Sequence, residues 1–258
     1  MLNEIKGVVI RETNINESDK LLTVFTDNGT VPVTAKGVRS IKSKNMPACQ
    51  MFCYSTFTLY EKNGYYWAKE ASLINNFFDI RLSVERTAIA SYICEAIDYT
   101  ATSEPSDEYL SVVLNSLYAL SLERYSPEKI KAVFELRVSS LLGFTPDIDA
   151  CRSCKQKKER YTLDIMNGSL ICSECKKIQA IDSYFEQTDE NGFRYPVVNI
   201  TEPVREAMRY VIHCKPKDIL NFNIPPEDMQ CFVKAAEAYF INQIDHGFKT
   251  LDFYYSIK

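Results

Sequence analysis

Apolar and polar residues alternate through the first 80 residues of the chain, and turn sequences interrupt the alternation. The apolar runs are Ile5–Ile10, Leu21–Phe25, Val31–Ala35, Met51–Leu59 and Tyr65–Ile74. A period of two places alternate side chains on one face of a strand, so Val31, Val33 and Ala35 share a face. Asp27-Asn28-Gly29 and Asn63-Gly64 are turn sequences, and the second is a strong hairpin signal. The pattern therefore predicts five β-strands.

The longest segment without a regular pattern, residues 37–50, separates the third strand from the fourth. Five strands in about 75 residues, with a long link after the third, are typical of a small Greek-key barrel of the OB type. An SH3-like barrel is the alternative.

After Phe78 the apolar period changes from two to about 3.6, the period of an α-helix. It predicts one helix through Ala88–Ile97 and a second through Leu110–Leu120. A third should begin at Ser126-Pro127, with Ser as the N-cap, and end before Gly143. Two later helices are expected, one with Thr201 as N-cap and one from about Pro226 to Asp245. The chain is thus predicted to change from strands to helices near residue 80.

Four cysteines stand as two Cys-x2-Cys pairs with 17 residues between them: Cys151 and Cys154, then Cys172 and Cys175. Two intervening residues allow both thiolates of a pair to reach one ion, and the second pair completes a tetrahedron. Four thiolates leave no open position for water or substrate, which favours one structural Zn²⁺ per chain over a catalytic metal. Two disulfides or four unrelated thiols are the alternatives.

Between the cysteine pairs, an alternating stretch from Tyr161 to Ile165, a turn at Asn167-Gly168 and Leu170-Ile171 predict a β-hairpin. Helices are expected before and after this hairpin. The predicted class is therefore α+β: a five-stranded OB barrel at residues 1–80, then a helical domain at 81–258. A zinc-ribbon-like module at residues 148–180 interrupts the helical domain.

The chain has 258 residues, of which 46% are hydrophobic, and a net charge of −4. Its positive charge is concentrated in two places. No acidic residue occurs between Asp27 and Glu61, an interval that contains a basic strip of four residues: Lys36, Arg39, Lys42 and Lys44. Residues 151–180 contain seven Lys and Arg against three Asp and Glu, an excess that four thiolates with one zinc ion reduce by about two.

Exposed Lys and Arg bind nucleic-acid phosphates, and aromatic faces stack on unpaired bases. The basic strip is therefore a candidate DNA contact, and Arg152, Lys155, Lys157, Lys158 and Arg160 extend it as further candidates. Tyr54, Tyr60, Tyr65, Tyr66 and Trp67 lie in the two strands that follow the strip, and alternation should direct about half of them outward. The alternative is that these aromatics are core residues and the lysines a solvated loop.

Catalytic chemistry has no positive support in the sequence. With only eight glycines the chain has no phosphate-cradling loop, and His213 and His246 are expected near helix ends as dipole partners. Glu17, Ser18 and Asp19 precede a strand and should form a turn. No run of 18 apolar residues and no signal peptide occurs, and no cysteine outside the quartet has motif spacing. We therefore expect a cytoplasmic protein with reduced thiols and no membrane partner.

Three motifs in order resemble one protein family. Residues 17–26 read Glu-Ser-Asp-Lys-Leu-Leu-Thr-Val-Phe-Thr, and Ala-Lys-Gly-Val-Arg at 35–39 and Lys42-Ser43 follow them. Leu-Leu-Gly-Phe-Thr-Pro at 141–146 then leads into the first cysteine pair. Their order and distances resemble the RecO family of bacterial recombination mediators over essentially the whole chain. Asn14-Ile15-Asn16 departs from the Tyr-Gly pair expected before Glu-Ser-Asp.

The resemblance implies a non-enzymatic protein of recombinational repair in the cytoplasm and nucleoid. Such proteins bind single- and double-stranded DNA, anneal complementary strands and associate with RecR. They help to load RecA onto strands covered by single-strand-binding protein, whose tail some members hold on the helical domain. An RNA-binding or translation-associated protein remains an alternative, because it also combines an OB barrel with a zinc ribbon. A nuclease would need a carboxylate cluster for metal, which the sequence does not reveal.

Overall fold

The computed structural model describes residues 2–102, 106–178 and 196–258. The last two residues of the predicted 148–180 module therefore lie outside the described residues. The chain divides into two compact units, one of Met1–Pro127 with Phe248–Lys258 and the other of Glu128–Gly247. The chain changes from strands to helices near residue 80. The division into domains at residues 1–80 and 81–258 stays a prediction.

Five strands form a closed barrel at the start of the first unit. They are β1 (Leu2–Asn14), β2 (Lys20–Thr26), β3 (Gly29–Ala35), β4 (Tyr54–Lys62) and β5 (Tyr65–Asn75). Their order around the barrel is β1-β2-β3-β5-β4, and β1 pairs with β4 to close it. The parallel pairing of β3 with β5 follows from the long link after β3. The predicted OB barrel is confirmed.

Alternate apolar side chains of the strands fill the barrel interior, as the sequence predicts. Leu22, Val24, Val33, Phe57 and Leu59 are buried together in its core. The hairpin between β4 and β5 turns at Asn63 and Gly64, whose φ angles are 56° and 78°. Positive φ at both central residues gives the twist that a two-residue hairpin needs, which explains why Asn-Gly occurs there.

The link from β3 to β4 differs from the prediction at both ends. It contains a 3-10 helix at Met46–Cys49, and β4 begins at Tyr54 instead of Met51. The reason is a turn at Phe52, whose φ is 68°. The Phe52 amide donates to the carbonyl of Val9 at 2.9 Å, so the apolar side chains of this turn are buried without a strand.

Seven α-helices lie in the described part of the chain. They are α1 (Val84–Thr100), α2 (Asp107–Ser121), α3 (Pro127–Leu141), α4 (Ser173–Ile178), α5 (Glu202–His213), α6 (Pro226–Ile244) and α7 (Lys249–Ser256). The five predicted helices are present, whereas α4 and α7 were not expected. Helix α7 returns to the first unit, where Thr250 donates its amide to Glu95 of α1 at 3.0 Å. No helix described here has both the length and the apolar composition that crossing a lipid bilayer requires.

Helix α3 is buried along most of its length in the second unit. Its buried Lys and Arg side chains bind carboxylates or backbone carbonyls of the same unit. Lys131 Nζ lies 2.9 Å from Glu135 Oε1 and also contacts Glu237. Arg137 donates to the carbonyls of Val211 and Cys214, at the end of α5. These cations therefore satisfy buried acceptors inside the unit.

The cysteine module is built on a three-stranded sheet in the second unit. Strands β6 (Arg160–Asp164) and β7 (Ser169–Cys172) form the predicted hairpin, and β8 (Val197–Thr201) pairs with the other edge of β6. The strand β8 was not predicted. Gly168 in the hairpin turn has a φ of 57°, and a Cβ there would lie 2.6 Å from the hydroxyl of Tyr239. Any larger residue would clash with α6.

Candidate metal centre and nucleic-acid interface

The fold brings the four predicted cysteines together. Cys172 ends β7 opposite Tyr161 of β6, and all four sulfur atoms lie within 4.8 Å of one another. The Sγ atoms of Cys154 and Cys172 are 3.9 Å apart. A tetrahedral zinc site with bonds of about 2.3 Å requires sulfur separations of about 3.8 Å. The cysteines are free thiols, and 3.9 Å is far longer than a disulfide bond, so the geometry fits one metal ion.

Backbone amides point at the sulfur atoms and favour ionised ligands. The amide of Cys172 donates to Cys151 Sγ at 3.3 Å, and that of Cys175 to Cys172 Sγ at 3.4 Å. Burial opposes ionisation of Cys151, but amide donors at Cys154, Cys172 and Ser153 outweigh it and lower its pKa to about 6. Donation to the sulfur of Cys172, followed by burial, raises the pKa of Cys175 to about 12. A cation bound by all four sulfurs would displace the thiol proton of Cys175.

The basic strip occupies the start of the link that follows β3. Lys36, Arg39, Lys42 and Lys44 are all exposed, and none forms an ion pair within residues 2–102, 106–178 and 196–258. Lys36 Nζ lies 4.3 Å from the centre of the Trp67 ring. The structure therefore places four cations on the barrel surface, where the nearby Asp19 carboxylate interacts with Lys36 without forming an ion pair among the described residues.

The turn between β1 and β2 anchors this strip. Asp19 Oδ1 accepts the amide of Gly37 at 2.7 Å, and the carbonyl of Ser18 accepts the amide of Arg39 at 3.0 Å. The Arg39 guanidinium also donates to the carbonyl of Asn16. These bonds give Ser18 and Asp19 the turn-forming role that the sequence predicts, and they hold the first residues of the strip in place.

We expect Asp19→Asn to destabilise the barrel in a pH-dependent way. Donation by Gly37, then by Asn16 and Ser18, holds the pKa of the Asp19 carboxyl below its usual value of 3.8. Ionised Asp19 therefore stabilises the fold above the unfolded pKa, and this contribution disappears as pH falls through the folded pKa. The urea midpoint of the variant should be lower at neutral pH, and the difference from wild type should shrink below pH 3.8.

Glu17→Gln is the matched control, because Glu17 is an exposed neighbouring acid and should change the urea midpoint little at any pH. A midpoint difference for Asp19→Asn that is independent of pH would contradict the anchoring role of the carboxylate.

Aromatic residues next to the strip divide between the two faces of the barrel wall. Tyr66 packs against the core, whereas Tyr60 and Trp67 stack with ring centres 6.3 Å apart, and Tyr65 is 69% exposed. Tyr54 is half-buried. With Lys36 above Trp67, a cation and stacked aromatic rings adjoin on one surface. Sequence reasoning named these residues but could not pair Lys36 with Trp67.

The cations of the cysteine module have different surroundings. Arg152 is paired with Asp164 at 2.9 Å, and Lys158 with Glu174 at 2.8 Å. Lys155 and Lys157 are exposed. Two of the five DNA contacts predicted for this segment are thus already engaged inside the module.

The histidines lie where the sequence places them. His213 is the exposed last residue of α5, and His246 follows the end of α6. Their role as helix-dipole partners stays a prediction.

Comparison with known proteins gives consistent matches along the chain. Residues 1–77 match the family model for the recombination protein O N-terminal domain, and residues 81–182 match that for the C-terminal domain. A relative from Acetivibrio thermocellus, named DNA repair protein RecO, is 28% identical over 250 residues, which cover 96% of this chain and 94% of the relative.

Two further relatives carry the same name. The one from Caldicellulosiruptor saccharolyticus is 32% identical over 175 residues, or 67% of this chain and 71% of the relative. One from Listeria monocytogenes is 26% identical over 240 residues, or 93% and 88%. Together with the OB barrel and the four-cysteine cluster, these matches establish that the chain belongs to the RecO family.

Proposed function

We propose that this chain is a non-enzymatic recombination mediator that binds and anneals DNA in recombinational repair. The observation that carries the proposal is the exposed basic strip beside Trp67 on an OB barrel. The names of the curated relatives supply the process, DNA repair. The chain would bind single- and double-stranded DNA in the cytoplasm and nucleoid. With RecR it would help to load RecA onto strands covered by single-strand-binding protein.

Annealing by such a surface needs no bond chemistry. Two DNA strands repel through their phosphates, and cations that bind phosphates reduce this repulsion while the bases remain free to pair. Lys36, Arg39, Lys42 and Lys44 supply these cations, and Lys155 and Lys157 with the partly engaged Arg152 and Lys158 add to them in the module. Phosphate contacts carry no sequence information, so the activity should not depend on sequence.

The four cysteines would hold one structural zinc ion in this protein. Its chemistry is that of a cation with a closed shell of thiolates, which would crosslink the segment before β6 to the end of β7 and to α4. The residues of the chain do the rest: amide donors at Cys172 and Cys175 orient the sulfurs, and the β6–β7 hairpin sets the distance between the pairs.

Annealing of complementary strands by the purified protein tests this function. We expect it to proceed without ATP and without added magnesium, to slow steeply as salt rises, and to be unaffected by His213→Ala. The same preparation should bind single-stranded DNA more tightly than structured RNA. An absolute requirement for ATP hydrolysis by this chain, or a preference for structured RNA, would show that the proposal is wrong.

A further inference from the structure

Arg205 is a buried cation of the second unit that has no role in the proposed function. It lies near the start of α5, and its side chain is completely buried. Its Nε and Nη2 atoms donate to the two carboxylate oxygens of Glu202, at 2.7 and 2.8 Å, and Nη2 also donates to Glu206. A buried ion pair often stabilises a fold no more than apolar side chains of similar volume. Stability alone therefore does not explain an arginine at this position.

The remaining nitrogen of Arg205 binds the backbone that leads into the first cysteine pair. Nη1 donates to the carbonyl of Ile148 at 3.0 Å and to that of Asp149 at 3.2 Å. Asp149 is two residues before Cys151, the first of the four cysteines. The position of the guanidinium therefore influences where the first cysteine pair lies.

The β6–β7 hairpin binds the other side of the same segment. The amide of Asp147 donates to the carbonyl of Gly168 at 2.7 Å, and the amide of Arg152 donates to the carbonyl of Leu170 at 2.7 Å. The segment is thus held between the hairpin and α5, and Arg205 supplies the backbone contacts on the α5 side.

Arg205 also contacts the strand that faces the second cysteine pair. The carbon of its guanidinium lies 6.0 Å from the centre of the buried Tyr161 ring. Tyr161 lies opposite Cys172 in the pairing of β6 with β7, and its hydroxyl accepts the amide of Lys158, which precedes β6. One side chain therefore contacts the backbone before Cys151 and the residue opposite Cys172.

We propose that Arg205 is a positioning residue for the metal centre, which holds the two cysteine pairs at the spacing that one zinc ion requires. This inference rests on the zinc ion of the proposed function. The planar guanidinium donates in fixed directions, so the pair of bonds to Glu202 orients the group and its free edge binds the two carbonyls. Residues that orient metal ligands from behind typically contribute about 10- to 100-fold to metal affinity.

The zinc affinity of the purified protein, measured by competition with a chelator, tests the proposal. We expect Arg205→Gln to bind zinc about 10- to 100-fold more weakly than wild type. Arg205→Lys should not restore the affinity, because an ammonium group keeps the charge but not the planar fork. Glu202→Gln weakens the orientation of Arg205 without removing it, and should lower the affinity by a smaller factor.

Arg209→Gln is the matched control. Arg209 lies one turn after Arg205 on α5, and its partners are the exposed side chains of Asp149 and Glu206. Because exposed ion pairs contribute little, this variant should bind zinc as tightly as wild type.

Cobalt substitution separates positioning from folding. Co²⁺ in a tetrahedron of four thiolates has d–d absorption bands whose position and intensity report on the geometry of the site. We expect wild type and Arg209→Gln to give the same spectrum. Arg205→Gln should give weaker and shifted bands, whereas its circular dichroism should match that of wild type.

Wild-type zinc affinity in Arg205→Gln, or its full recovery in Arg205→Lys, would overturn the proposal. If Arg205→Gln fails to fold, unchanged zinc affinity in Glu202→Gln would overturn it instead. Wild-type protein that binds neither zinc nor cobalt would remove the metal centre and this inference with it. Wild-type protein that binds zinc but does not anneal DNA would contradict the proposed function, and weak zinc binding by Arg205→Gln would then still support the inference.

Discussion

Replacement of Lys36, Arg39, Lys42 and Lys44 together by alanine is expected to weaken binding of single-stranded DNA several hundredfold at moderate salt. The slope of log affinity against log salt is negative, and removing one phosphate contact reduces its magnitude by about 0.7. Removing four contacts should therefore reduce it by about 3. The same relation predicts that affinity falls roughly several hundredfold at about 0.1 M salt. Fluorescence anisotropy of a labelled strand at several salt concentrations measures both quantities.

Two features separate this result from simple unfolding. The decrease in affinity should be the same for strands of different sequence, because phosphates are common to all of them. Trp67 is the only tryptophan of the chain and lies under Lys36, so its emission reports on this surface. Wild-type emission should change when DNA binds, and circular dichroism of the variant should match wild type. An unchanged salt slope would contradict the assignment of the strip.

Freshly purified, reduced protein is expected to contain about one equivalent of zinc, and Cys172→Ser should lose it. Binding of structural zinc to small domains is worth on the order of 10 kcal/mol and is coupled to their folding. Without the ion, residues 151–175 keep only the short strand pairings of β6 with β7 and β8, so we expect them to unfold locally. The barrel has its own core and should remain folded.

Metal analysis and limited proteolysis measure this effect. Cys214→Ser is the matched control, because Cys214 belongs to the same unit but lies outside the four-cysteine cluster. It should keep the zinc and the protease resistance of wild type. Wild-type protein without zinc, or a Cys172→Ser variant that retains a full equivalent, would contradict a four-thiolate site.

The sequence was sufficient to predict the strands and helices whose apolar period is clear. It failed where tertiary contacts override the local pattern. Met51–Cys53 reads as the start of a strand, but the left-handed turn at Phe52 buries Phe52 and Cys53 without one. Strand β8 is only five residues long and was missed, although it pairs with β6 at every position. The eight-residue helix α7 was also missed, because its Tyr and Phe residues form too short a run to establish a period.

In the candidate sites, too, local sequence predicted some features, and others depend on tertiary contacts. Cysteine spacing alone predicted a cluster that the fold brings within 4.8 Å, and local charge identified the exposed strip. Partners distant in sequence could not be foreseen. The bond from Gly37 to Asp19 and the pair Arg152–Asp164 exist only because strands align them. Arg205 was not singled out, because only the packing of α5 brings it to the carbonyls before the first cysteine pair.

The rate of strand annealing, compared between wild type and the variant with alanine at all four strip positions, tests the central claim most directly. Complementary strands with a donor and a quencher are mixed with each protein in the absence of nucleotide, over a range of salt. We expect wild type to accelerate annealing at low salt and to lose the effect as salt rises, and the variant to leave the spontaneous rate unchanged. Annealing that persists at the wild-type rate in the variant would contradict the account.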